Sequence, residues 1–310
     1  MQGGGKAMPD TQQKWTTTLT VTAAEAKLNI RGLLRMWLVP KRLQHYLRIR
    51  EDIKVNGVYR PYNSTVTVGD VVTITLRADE LQTPVQTYLP DNSLSLPMLF
   101  ENDQLLVVNK PSGVKSHPNR TDEAGTVMNF LTAQLAPQQV QPWMVHRLDM
   151  ATSGAMIVAK TPLVVPILDR QISDKHIHRT YQAWVEGRFE HSTGSFTDKI
   201  GRDPNDRRKR LINGVGAQTA ETHYQVLKET NKASLVSLTL MTGRTHQLRV
   251  HLAGNGHPII GDPLYEQNLA YFQPKRMLLH AVQLSLILPF SGERVTIDAP
   301  LPAAFSESKS

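Results

Sequence analysis

The stretch VHRLDMATSGAMIVAK, residues 145–160, decides how this chain is read. It ends in an apolar run, Ala155 to Ala159, of the length expected for a buried strand. Ahead of that run is a turn, Thr152-Ser153-Gly154, and ahead of the turn a carboxylate, Asp149. A carboxylate in a turn at a strand edge faces a cleft while the sheet holds it still, which suits a nucleophile. Arg147 lies two residues away, so in an extended turn it points with Asp149 and can hold a phosphate beside it. On its own, His-Arg-Leu-Asp is equally the pattern of a surface pair or a turn former.

Outward from this segment, short apolar and alternating runs recur. LLVVNK, residues 105–110, reads as a buried strand stopped by Pro111. TYQAWVEG at 180–187 and ASLVSLTLMTG at 233–243 alternate and stop at a glycine, and LSLILPF and RVTIDAP add strands near the end. The helices are few: an amphipathic one over 162–173 and a short one within HQLRVHLAG, 246–254, ending in glycine. Strands that outnumber helices without alternating with them suggest a mixed α+β sheet fold in a larger unit that begins at Leu99. The polar tail, 306–310, is expected to be disordered.

Residues 14–80 form a smaller unit. Leu33, Leu34, Trp37 and Leu38 recur at helical spacing, and Pro40 suits the first turn of a second helix carrying Leu43, Tyr46 and Leu47. Ile53-Lys54-Val55 runs into Asn56-Gly57, the strongest short hairpin signal. Val66, Val68, Val71, Ile74 and Leu76 predict a strand pair turning at Gly69-Asp70. The helical part carries Arg31, Arg35, Lys41, Arg42, Arg48 and Arg50. Two helices and a hairpin with the pieces KVNG and VTVGDVVTI resemble the S4 RNA-binding domain, although the segment before Glu51 is less typical. The plainer reading is a small α+β unit with solvated charges. Residues 1–13 read as a flexible leader, and 81–96, with Pro84 and Pro90 and no periodicity, as a linker.

Composition narrows the function classes. The chain lacks cysteine, which excludes disulfides, thiolate metal sites and a cysteine nucleophile, and fits a reducing cytoplasm. A formal charge of +8 points to a polyanionic partner, nucleic acid or an anionic surface, or simply to a mildly basic protein. No run approaches the ~18 apolar residues of a membrane span, and the start lacks the apolar core of a signal peptide.

A second group of candidates lies at 242–265, TGRTHQLRVHLAGNGHPIIGDPLY. His246 and Arg249 are three apart and share a helix face. No acidic or thiol ligand accompanies the imidazoles at metal-ligand spacing, and Arg244 and Arg249 repel a cation, so no metal site is expected; phosphate or carboxylate binding is more natural. Gly254, Gly256 and Gly261 are spaced as turns, not as a dinucleotide fingerprint. GRDPNDRRKR, 201–210, puts Arg202, Arg207, Arg208, Lys209 and Arg210 on a polar loop that tracks phosphates or is merely solvated. Lys110, before Pro111-Ser112-Gly113, either lines the cleft as an RNA contact or caps its strand.

Three strings in one order, NKPSGVKSHP (109–118), VHRLDMATSGAMIVAK (145–160) and TGRTHQLRVHLAGNGHPIIGDPLY (242–265), resemble the RluA family of RNA pseudouridine synthases. The resemblance runs over about residues 97–305, and an S4-like unit ahead of it is a common arrangement in that family. It implies a catalytic domain of pseudouridine synthase type over 97–305, α+β with a mixed, mostly antiparallel sheet, RNA as the partner, no cofactor and no metal. It places the nucleophile on Asp149, the active-site tyrosine on Tyr181 and the basic partner of the aspartate on Arg249. Arg147 falls where family members insert a side chain into the stack left by the target base. Arg179, two before Tyr181, stands where lysine is more usual.

The implied chemistry needs these residue types. The base must leave the ribose, turn and return through carbon, so a carboxylate attacks the anomeric carbon or takes a ribose proton to give a glycal. An arginine keeps that carboxylate ionised and aimed, and a tyrosine stacks on the free uracil with its hydroxyl near C5. A uridine within a helix must be flipped out, which costs a few kcal/mol, and an inserted Arg147 would offset part of that. Arg147, Lys110, Arg244, His246, Arg207 and Arg208 are the expected RNA contacts. Ribosomal large-subunit RNA is the favoured substrate over tRNA, by analogy with the family, and the protein is expected to act as a cytoplasmic monomer without protein partners. A non-catalytic RNA-binding protein for ribosome assembly shares the charge, but does not require Asp149, Tyr181 and Arg249 together. A glycoside or nucleoside hydrolase needs two flanking carboxylates, and Asp262 reads only as a turn residue in GDPLY.

Overall fold

The computed structural model describes residues 13–81, 87–266 and 276–307. The expected leader (Gln13 apart), residues 82–86 of the expected linker, residues 267–275 of the larger unit and the last three residues lie outside them.

The N-terminal unit runs β1 (Lys14–Thr20), α1 (Ile30–Met36), α2 (Lys41–Ile49), β2 (Ile53–Val55), β3 (Val58–Tyr59), β4 (Val71–Arg77) and α3 (Ala78–Leu81). Asn29 caps α1 by accepting from the Gly32 amide, and Pro40 precedes α2 as its N-cap, one residue earlier than expected. Asn56 and Gly57 take positive φ, the geometry a two-residue hairpin between β2 and β3 requires. The strand pair expected across Gly69-Asp70 does not form. Only β4 is a strand there, and its partners are β2 and β1, giving the order β1-β4-β2-β3. The edge that residues 66–68 would have taken belongs to β1, whose alternating KWTTTLT half-buries Trp15, Thr17 and Leu19.

The larger unit continues with β5 (Met98–Glu101), β6 (Leu105–Lys110), α4 (Val127–Leu135), β7 (Trp143–Met144), β8 (Ser153–Ala159), α5 (Val165–Ser173) and β9 (His178–Glu186). Then come β10 (Thr193–Phe196), β11 (Ile200–Arg202), β12 (Arg210–Ile212), β13 (Val215–Gln218), β14 (Thr222–Glu229) and β15 (Ala233–Leu240). The chain ends with α6 (Gln247–Gly254), β16 (Leu279–Ile287), β17 (Arg294–Asp298) and α7 (Ala304–Glu307). The expected α+β class holds. The main sheet has the order β10-β14-β15-β9-β16-β8-β6-β5, with β17 on β16 and β7 on β8; every pairing is antiparallel except β16 with β8. Order continues through α7, so the chain does not become irregular at Phe305, whose carbonyl accepts from Trp184 Nε1.

β8 is buried over its whole length, because both faces of the sheet are covered. Ala155, Ile157 and Ala159 face the layer that includes α5, and Met156 and Val158 face the layer that includes α4, the alternation a strand imposes. The first of these layers runs on into the N-terminal unit: Trp37 meets Phe290 edge-on at 5.8 Å, and Trp15 meets Trp143 at 5.9 Å. Gly154, at φ +112°, sits where β8 crosses β16, and a Cβ there would lie 2.3 Å from the Ala281 carbonyl oxygen. Only glycine allows the two strands to close at the point where the Asp149 turn enters the sheet. Strands β12-β11-β13 form a small separate sheet, and α6 lies between it and the main one, with Leu248 and Leu252 toward the main sheet and Val250 toward the small one. Among the described residues no helix is long and apolar enough to cross a membrane.

Candidate active site

Asp149 sits in the turn between β7 and β8, and the turn is held from beneath. Ser116 Oγ donates to the Leu148 carbonyl and accepts from the Leu148 amide, Ser112 Oγ donates to the Ala151 carbonyl, and the Gly113 amide donates to that of Met150. Lys110 completes the clamp. Its Nζ donates to the carbonyls of Pro111, Met150 and Thr152, at 3.0, 3.2 and 2.7 Å. Burial pushes the Lys110 ammonium down to about 7, while three carbonyl acceptors match the three donors that only the charged form carries. Lys110 has no exposed surface, which corrects its reading as a cleft-lining RNA contact; it caps the β6 end and ties the turn to it. His146 serves the same turn. Its Nε2 accepts the Ile157 amide at 3.0 Å, and burial drives its pKa to about 3, so it stays neutral.

On the other side of Asp149 stands α6. Arg249 Nη1 donates to Asp149 Oδ2 at 3.1 Å, while Nε and Nη2 fork onto the two oxygens of Asp262, each at 2.7 Å. Burial works against the Arg249 charge, but Asp262 and Asp149 outweigh it, and its pKa is raised. Asp262 does form the expected turn, since Oδ1 accepts from Leu264 and Tyr265 amides, yet its carboxylate also anchors Arg249. The Arg249 guanidinium lies 5.0 Å from the centre of the Tyr265 ring. Gln247 fixes the start of α6 by using its whole amide: Oε1 accepts from Thr242 and the Arg244 amide, and Nε2 donates to the Glu221 carbonyl and Thr222.

His246, at φ 58°, is held in the left-handed region. The Tyr265 hydroxyl accepts the Arg210 amide at 2.8 Å, and we assign its own proton to the 2.8 Å bond with His246 Nδ1. That assignment leaves the imidazole proton on Nε2, which lies 3.8 Å from Asp149 Oδ2. Burial lowers the His246 pKa, against the pull of Asp149, so the ring presents a neutral N–H to the cleft.

The cleft opens to solvent and offers about 130 Å³ of water-accessible space. Asp149, Tyr181, Arg249, Arg147, Arg244 and His246 all line it. Arg179, also on its wall, leaves Nε buried without a partner among the described residues. Tyr181 stands on β9; burial first, and then the Asp149 charge, raise its pKa, so the phenol is protonated at neutral pH. Arg147 is exposed at the mouth, and Arg244 donates Nε to the Thr219 carbonyl. Among the described residues Asp149 is the only carboxylate lining the cleft, while Asp262 is shut away behind Arg249. A two-carboxylate hydrolase site is not built here. Arg207 and Arg208 lie exposed on the β11–β12 connection, off this wall, with Arg208 forked onto Asp206.

Asp262, Tyr265 and the Lys110 clamp were missed as site components. GDPLY carried a local turn signal that hid a long-range ion pair, and Lys110 gave no sign of the carbonyls it meets 40 and 42 residues away. No group of three His, Cys, Asp or Glu that could hold a metal occurs among the described residues.

Comparison with known proteins agrees with this geometry. Residues 104–254 match the RNA pseudouridylate synthase family, and residues 17–72 match the RluD ribosomal pseudouridine synthase N-terminal domain. The chain is 38% identical over 257 residues to YhcT of Bacillus subtilis, described as an uncharacterized RNA pseudouridine synthase, covering 82% of each chain. It is 35% identical over 246 residues to ribosomal large subunit pseudouridine synthase D of Neisseria meningitidis serogroup B, covering 76% of this chain and 64% of that one. Among solved structures, human RNA pseudouridylate synthase domain containing 1 superposes with a TM-score of 0.58 at 29% identity, over 69% of this chain and 86% of that one.

Proposed function

The chain belongs to the RNA pseudouridylate synthase family and is an isomerase of RNA uridine, and from that premise we propose that it modifies large-subunit ribosomal RNA with Asp149 as its nucleophile. The observation that carries the assignment of Asp149 is its setting: a carboxylate on the wall of a cleft, alone there among the described residues, held by Arg249 at 3.1 Å, with Tyr181 on the same wall. Its exposed oxygen faces the ribose of a uridine flipped into the cleft. The C1′–N1 bond breaks, its electron pair leaves with the uracil, and C1′ stays on the carboxylate. The base turns, C5 displaces the carboxylate from C1′, and the proton lost from C5 is balanced by one gained at N1. Electrons balance within the substrate, so the cycle calls for no cofactor.

Each residue has a share in this. Arg249, pinned by Asp262, keeps the carboxylate pointing at the substrate through the cycle. Tyr181 stacks on the detached uracil, and being a phenol it takes a proton only by passing its own onward. The His246 Nε2–H is free to donate to the nucleotide, because 3.8 Å is too long for a bond to Asp149. Arg147, exposed and at the rim, enters the gap in the RNA stack. Arg244 takes an adjoining phosphate, and Arg207 and Arg208 track the backbone further out. The N-terminal unit is an S4-like RNA-binding domain, and the protein acts as a monomer in the cytoplasm. Base-resolution pseudouridine mapping of ribosomal RNA from cells with and without the protein tests the substrate. Loss of a specific large-subunit site supports the assignment, and an unchanged ribosomal map with a lost tRNA site overturns it.

A further inference from the structure

Beside the Asp149 cleft lies a second hollow, and the two share Arg244 and Thr245. Arg202 and Arg210 line its other side, and among the described residues no carboxylate lines it. Arg202 and Arg210 are also direct cross-strand partners on β11 and β12. Residues opposite each other in an antiparallel pair project to the same face, and like charges there destabilise the sheet. Among the described residues no ion pair relieves Arg202, Arg210 or Arg244. Two of the guanidinium groups are instead aimed by carbonyls: Arg244 Nε by Thr219 at 3.0 Å and Arg210 Nη1 by Lys209 at 3.0 Å. One donor of each is used, and among the described residues no other side-chain bond engages them.

Like charges set opposite one another on a rigid ladder, joined by a third arginine and left without an acid, make a site for an anion. We infer that this hollow is a phosphate subsite that takes a backbone phosphodiester of the RNA next to the target uridine. The inference rests on the reading of the Asp149 cleft as the uridine site and adds a second point of register. The strands set the direction in which the RNA leaves the cleft, over Arg244 and Thr245 toward the small sheet. Arginine suits the task because its planar fork meets phosphate oxygens in pairs.

The test uses the full-length protein and a synthetic RNA stem-loop carrying the uridine identified by mapping. Methylphosphonate replaces the phosphate at each linkage within two nucleotides of that uridine, one at a time. Wild type and Arg202→Gln are compared for RNA affinity, salt dependence and thermal melting. With wild type, one linkage should stand out, its neutralisation weakening binding about tenfold. Arg202→Gln should lose a similar factor on the unmodified RNA and nothing more at that linkage, and its salt slope should fall by about 0.7 per phosphate released. Its melting temperature should be equal to or above that of wild type, since cross-strand repulsion is relieved. Arg210→Gln, which keeps the backbone amide that Tyr265 uses, should repeat the pattern. Independent losses at every linkage, or a lower melting temperature with unchanged affinity, would overturn the subsite. Inorganic phosphate that binds wild type but not Arg202→Gln, with no coupled linkage in the RNA, would assign the hollow to a free anion and overturn the RNA source. A wild type that leaves every uridine of the stem-loop unmodified would instead bring down the parent reading.

Discussion

Replacing Asp262 with asparagine isolates the support behind the nucleophile. Asn can keep the oxygen that accepts from the Leu264 and Tyr265 amides, so the turn survives. It removes the charge and places an amide N–H against Arg249 Nε–H, which now bonds Oδ2 at 2.7 Å. A hydrogen bond to a charged group contributes about 1.5–3 kcal/mol net, and stranding one member of a buried ion pair costs about 3–5 kcal/mol. Asp149 limits the loss, because it remains 3.1 Å from Nη1. The expected destabilisation is therefore about 3 kcal/mol, at the lower end of the range for a broken buried pair. Catalysis should suffer separately. Arg249, released on one side, rotates toward Asp149 and draws the carboxylate off its line, and a shift of about 1 Å costs on the order of 10²-fold in rate. Urea denaturation gives the first quantity and single-turnover isomerisation under fully folded conditions gives the second. RNA affinity should hold, because Asp262 is out of reach of phosphate. Stability within about 1 kcal/mol of wild type, with a rate within about threefold, would refute the role given to this pair.

Lys110→Met keeps the length of the side chain but strips the donor from three carbonyls, so it should destabilise the fold by about 2–3 kcal/mol and lower turnover while leaving RNA affinity unchanged; a fall in affinity without a fall in stability would contradict its burial. His146 titrates near 6.5 when unfolded but only at about 3 in the fold, so as pH falls below 6.5 the unfolded chain alone gains the proton and the histidine's contribution is lost. The stability advantage of wild type over His146→Gln should shrink by about 1.4 kcal/mol per pH unit between 6.5 and 4, and a constant difference in denaturation titrations would argue against a neutral buried imidazole. Arg147→Ala should slow reaction on a duplexed target more than on an unstructured one, where flipping is cheap, whereas equal losses would make it a plain phosphate contact.

Much of the site was legible because its signals are local. HRLDMATSG places a carboxylate, an exposed arginine and a glycine within nine residues, and those features depend on one turn and one strand. The main-sheet strands were legible for the same reason, since apolar alternation records which face is buried. What escaped depends on distant contacts. Asp262 looked like a turn residue and is one, and nothing in GDPLY reports that Arg249 arrives 13 residues before it on a helix. Lys110 ends a strand and read as a cap or a cleft residue, because two of the three carbonyls that hold it come from the distant 149–152 turn. The failed strand pair at 66–76 reflects competition: β1 carries an alternating threonine-rich pattern of its own and takes the edge of β4. GRDPNDRRKR read as one polar loop, although its ends, Arg202 and Arg210, pair on a ladder and only 203–209 connects them.

The central claim is tested most directly at Asp149 itself. Asparagine there preserves shape but removes the charge and is a very poor nucleophile, while the phosphate contacts assigned to Arg147, Arg244 and the small sheet are untouched. The measurement pairs tritium release from C5-labelled RNA with a binding titration on the same RNA and the same preparation. Asp149→Asn should release no tritium above background and bind RNA as well as wild type, or somewhat better now that a negative charge near the phosphates is gone. A variant that turns over at close to the wild-type rate would contradict the account.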